Sequence, residues 1–114
     1  MITRKELIDI IDHDITIDLD ENGNFKHNAL GRIWKGNKDP KCGKIDDFLV
    51  SLTIGDSVYK EFDNYDDLLD YKIKGKTIYE RLKNENADDI CTRILDDRNM
   101  GFVISAEDKK KYNL

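Results

Sequence analysis

Phe48-Leu49-Val50-Ser51-Leu52-Thr53-Ile54-Gly55-Asp56-Ser57-Val58-Tyr59-Lys60-Glu61-Phe62 decides the fold. Phe48, Val50, Leu52 and Ile54 recur at every second position, the period of a strand that buries one face. Gly55-Asp56 then turns the chain, and Val58 and Phe62 mark the returning strand. Upstream, Ile15, Ile17 and Leu19 alternate with polar neighbours in the same way. Asn22-Gly23 follows as a two-residue turn, because both residues tolerate positive φ. A less regular strand from Phe25 to Trp34 completes a second hairpin. Two hairpins predict an antiparallel sheet of about four strands.

Helical signals flank that sheet. Thr3-Arg4-Lys5-Glu6 reads as a capping box, and Leu7, Ile8, Ile10 and Ile11 supply an apolar stripe ending near His13. After the sheet, Asp63 reads as an N-cap with Asp66 at the third helical position, and Leu68, Leu69 and Ile73 face inward. Lys74-Gly75 breaks this helix, and Ile78 with Leu82 anchor the next. Asn86 can cap a third, carried by Ala87, Ile90, Cys91, Ile94 and Leu95 and leaving near Asn99-Met100-Gly101. Phe102, Val103 and Ile104 suggest an edge strand, and Ser105 with Asp108 a terminal turn. The expected architecture is one α+β domain over residues 1–114. An N-terminal helix and two to three short C-terminal helices pack on one sheet face.

Charge is sorted into blocks along this framework. Residues 1–25 balance at −5, 26–44 at +5, 45–70 at −7, 71–83 at +4 and 84–114 at −2, which makes the net charge of −5. Charged residues are 38% of the 114 and apolar ones 39%, yet the apolar residues are patterned, which argues against disorder. Blocks of this kind make strong local fields and favour docking onto charged macromolecules. The net negative charge disfavours direct binding to nucleic acid. Two cysteines, Cys42 and Cys91, without CxxC spacing point to a reducing cytoplasm. Met1 to Lys5 leads into no apolar run, so neither a secretory signal nor a membrane span is expected.

Several short patterns have ordinary structural readings. Asp18-x-Asp20-x-Asn22-Gly23 matches the first half of a calcium loop, but Ala29 stands where a bidentate glutamate belongs and the flanks read as strands. Gly75-Lys76-Thr77 matches the end of a phosphate-binding loop. Asp70 replaces its first glycine, and the turn reads as a helix–helix connection with no strand before it. His13 and His27 could serve a small hydrolase or metal-dependent module, although no nucleophile motif or ligand spacing accompanies them. No cofactor is expected.

The residues expected to bind a partner fall in two groups. Asp63, Asp66, Asp67 and Asp70 would share one face of a helix start, with Tyr65 beside them. Trp34 leads into a basic loop over residues 35–44, where Lys35 and Lys38 are the nearest cations. Tyrosine and tryptophan beside charges suit an interface.

Val58 to Leu69, followed by Ile73-Lys74-Gly75-Lys76-Thr77-Ile78, resembles small proteins of phages and mobile elements in low-GC bacteria, some of which are anti-CRISPR inhibitors. The resemblance implies a cytoplasmic, non-enzymatic inhibitor. Such a protein would lay an acidic surface on a nucleic-acid-handling enzyme, such as a CRISPR effector. An immunity protein against a basic toxin would use the same physics, and a self-associating phage component is a further reading.

Overall fold

The computed structural model describes residues 1–27 and 29–91. They form an α+β fold in the order α1 (Arg4–Asp12), β1 (Ile17–Leu19), β2 (Gly31–Lys35), β3 (Val50–Ile54), β4 (Val58–Phe62), α2 (Tyr65–Asp70), β5 (Lys72–Ile73), β6 (Lys76–Thr77) and α3 (Ile78–Leu82). Strands β1 to β4 make an antiparallel sheet in sequence order, and β5 with β6 make a separate two-stranded hairpin.

The strict alternation of β3 sets the sheet. Directly opposed residues share a face, so Ile17, Ile33 and Leu52 line up across three strands, as do Leu19, Gly31 and Ile54. This inner face is the core, with Ile17, Leu19, Ile33, Val50 and Leu52 fully buried. Leu7, Ile10 and Ile11 of α1, Leu68 and Leu69 of α2, and Ile78 and Leu82 of α3 close over it. The opposite face carries Arg32, Trp34, Ser51, Thr53, Tyr59 and Glu61.

The helix caps follow local chemistry. Thr3 Oγ1 accepts from the Glu6 N–H and Glu6 Oε1 from the Thr3 N–H, both at 3.1 Å, which is the expected capping box. At the far end Asp14 adopts φ 65°. Its N–H reaches the Ile11 carbonyl (2.9 Å) and that of Ile15 the Ile10 carbonyl (3.3 Å), a Schellman ending at His13. Thr77 caps α3 by accepting from the Glu80 N–H at 3.1 Å. Asn86 Oδ1 accepts from the Asp88 N–H (2.7 Å) where residues 87–91 turn helical, as expected. Ile94, Leu95, the exit at 99–101, the Phe102–Ile104 strand and the turn at Ser105 and Asp108 lie outside the described residues.

Four expectations need correction. The return from Asn22-Gly23 is not one strand to Trp34. Phe25 bridges Leu19 on one edge of β1 while β2 pairs on the other, because a second partner can hydrogen-bond only to the free edge. Asp18, opposite Arg32 on the outer face, is nonetheless buried at 8% exposure, and its carbonyl oxygen accepts from the Lys26 N–H of that folded-back segment at 3.1 Å. Phe48 does not join the inner face. It packs edge-on against Trp34, with ring centroids 5.2 Å apart. The cap of α2 is Asn64 rather than Asp63: Asn64 Oδ1 accepts from the Asp67 N–H at 2.8 Å, so the helix begins at Tyr65 and Asp67 takes its third position. Lys74-Gly75 is a hairpin turn preceded by β5, both residues at positive φ (51° and 84°), and not a helix–helix connection.

Candidate protein-binding surface

The four carboxylates of the α2 region divide into two pairs. Asp66 and Asp70 lie on one side of the helix, and each stands 3.1 Å from the Arg4 guanidinium. Arg4 also sits over the Tyr79 ring, 5.4 Å from its centroid, and Tyr79 Oη donates to the Ile2 carbonyl oxygen (3.1 Å). These two acids therefore help fasten α2 to α1, although both remain largely exposed. Among the described residues Asp67 meets only its own cap, accepting from Asn64 Nδ2 at 3.0 Å. Asp63 precedes the helix, is exposed, and has no side-chain partner among the described residues. The face shared by all four is thus absent, since Asp63 lies outside the helix.

Tyr65 and Lys35 come together, which their separation in sequence hides. Tyr65 Oη donates to Asp12 Oδ1 at 2.8 Å. Lys35 Nζ stands 3.5 Å from the same carboxylate oxygen and donates to the Asp12 carbonyl oxygen at 2.9 Å. The Tyr65 hydrogen bond, aided by Lys35, holds the Asp12 carboxyl below its ordinary value of 3.8. Burial and then the Asp12 carboxylate push the Tyr65 hydroxyl above its ordinary 10.0. The start of α2 and the start of the basic loop are consequently joined through the end of α1.

The basic loop is built and closed on itself. Asn37 N–H donates to Asp46 Oδ2, and Asn37 Nδ2 to the Lys44 carbonyl oxygen, both at 2.8 Å. Lys38 Nζ reaches the Asp46 carbonyl oxygen at 2.6 Å, so its charge is held at the rim of the loop. Pro40–Cys42 makes one 3-10 turn, capped by Asp39. Lys41 and Lys44 are exposed. Trp34 points to the outer sheet face, where its Nε1 donates to Thr53 Oγ1 at 3.2 Å. It lies half-buried in an open groove of about 560 Å³ with Leu30, Arg32 and Lys35.

The residues of the rival readings have structural work. His13 Nδ1 lies 2.7 Å from the Asp9 carbonyl oxygen at the end of α1. His27 is exposed and stacks edge-on against Phe25 at 4.7 Å. Asp20 Oδ1 accepts from the N–H groups of Asn22 (2.9 Å) and Asn24 (3.0 Å), and Asn22 Oδ1 accepts from the Lys74 ammonium. The calcium-like loop thus uses its oxygens on its own turn and on Lys74. Among the described residues no three acidic, His or Cys side chains cluster to hold a metal, and no helix is long and apolar enough to cross a membrane.

Arg4 and Asp12 carry no local signal, since their partners Asp66 and Tyr65 lie 62 and 53 positions away. No family model, curated protein or solved structure matches this chain.

Proposed function

We propose that this chain is a cytoplasmic, non-enzymatic protein-binding inhibitor, encoded by a phage or mobile element, that docks the acidic start of α2 on a basic nucleic-acid-binding groove. The enzyme bearing that groove would be of the CRISPR-effector kind. The observation that carries the reading is the pair Asp63 and Asp67: both are exposed and neither meets a cation among the described residues. Tyr65 stands between them on a helix start fixed by the Asn64 cap and by Asp12. A rigid display of carboxylates can replace phosphates opposite lysine and arginine, and its contribution lies mainly in steering and register. An immunity protein would use this surface on a basic toxin, and the identity of the captured partner separates the two.

Capture from the lysate of a bacterium carrying the gene tests the proposal. Immobilised wild type should retain a nucleic-acid-handling protein that is released by an added oligonucleotide and is not retained by Asp63→Lys/Asp67→Lys. A captured protein that stays bound in excess oligonucleotide, and binds that variant equally well, would falsify it.

A further inference from the structure

The outer sheet face holds a second surface of opposite sign. Arg32 and Lys35 line the groove beside Trp34, and an adjoining groove of about 800 Å³ adds Lys38 while sharing Asp14 and Lys35. The surrounding block, residues 26–44, has six bases against Asp39 alone. Lys35 is engaged with Asp12, but the exposed Arg32 guanidinium has no partner among the described residues. Beside it Leu30 is 83% exposed. Trp34 is held by its hydrogen bond to Thr53 and by the edge-on Phe48 ring, so its position is set before anything binds.

We infer that this groove is a docking site for an acidic, leucine-bearing segment of a partner protein. A free guanidinium fork is matched by a carboxylate, which it can bind through two parallel hydrogen bonds. Leu30 and the exposed part of Trp34 line the same groove two residues to either side of Arg32, which suits an extended segment whose side chains on one side run apolar, acidic, apolar. A nucleic acid strand fits less well. Its charge repeats at every nucleotide, and it would meet Asp14 and Asp39 along the same trough within a chain of net charge −5. Arg32 and Trp34 of the site face away from the helices, and Lys35 at its rim connects it through Asp12 to Tyr65.

Trp34 is the only tryptophan, so its emission reports on the groove directly. The probes are an acetylated, amidated heptapeptide with Leu at its second and sixth positions, Asp at its fourth and Ser elsewhere, and a heptamer of thymidylate. The peptide should shift Trp34 emission and saturate below about 1 mM. Arg32→Glu should weaken it about tenfold or more, as expected for losing one charge-assisted hydrogen-bonded pair. Leu30→Ser, at a site too exposed to affect folding, should also weaken it, and Asp63→Lys/Asp67→Lys should leave it unchanged. Absence of a shift, an equal or larger response to the thymidylate, or a shift driven by the concentration of the protein alone would each overturn the inference.

Discussion

Gly36 leaves no room for a side chain, since a Cβ there would stand 2.2 Å from the Phe48 carbonyl oxygen. The close approach lets β2 run into the basic loop while Phe48 reaches Trp34 on the outer face. Gly36→Ala is therefore expected to cost about 2–4 kcal/mol, read by urea denaturation. The Asp12–Tyr65 pair makes a pH-dependent contribution instead. Asp12 is held below 3.8 in the fold, so its share is present above that pH and is lost as pH falls through the lowered value. The Tyr65 hydroxyl is raised above 10.0, so its share is present below pH 10 and is lost on further rise. Tyr65→Phe should then be about 1 kcal/mol less stable than wild type at pH 7, with the gap closing at both extremes in thermal melts against pH. Thr3 and Glu6 were legible as a cap because their chemistry is complete within four residues. Arg4 and Asp12 were not, because the side chains that give them a role arrive from another helix.

The strands were legible where packing enforces period two, as in β3, whose Val50, Leu52 and Ile54 all face the core. Leu52, fully buried at the centre of the sheet, should cost about 2–5 kcal/mol when cut to alanine. Phe48 broke the pattern because the strand begins only at Val50 and the chain before it bends to the other face. The β5–β6 hairpin stayed hidden because each strand has two residues, too few for a period, and Lys74 occupies a position where asparagine is the usual signal. Gly75 sits there at φ 84°, so Gly75→Ala should destabilise by about 1 kcal/mol in the same melts. For α2, adjacent Asp63 and Asn64 are both good caps, and no local rule chooses between them. Arg4→Met should lower stability by at most about 1 kcal/mol, with the loss shrinking as salt rises, because the carboxylates of both its ion pairs are largely exposed.

Across the molecule, the helices cover one face of the sheet, and the charge blocks have been sorted by the fold. Part of the acidic excess is internal bookkeeping: Asp66 and Asp70 on Arg4, Asp12 on Tyr65 and Lys35, Asp20 in a turn, Asp39 in a cap. The candidate site was therefore half legible. Composition gave its sign and neighbourhood, whereas the division between fastening and displayed carboxylates depends on which side of α2 meets Arg4. The central claim is that Asp63 and Asp67 act on a partner while Asp66 and Asp70 act on the fold. It is tested most directly by the association rate of the captured partner, measured against salt for Asp63→Asn/Asp67→Asn and Asp66→Asn/Asp70→Asn. The first variant should melt close to wild type but lose about tenfold in rate at low salt, with its salt dependence flattened, and the second should melt lower while associating at closer to the wild-type rate. Equal association rates for wild type and Asp63→Asn/Asp67→Asn at every salt concentration would contradict it.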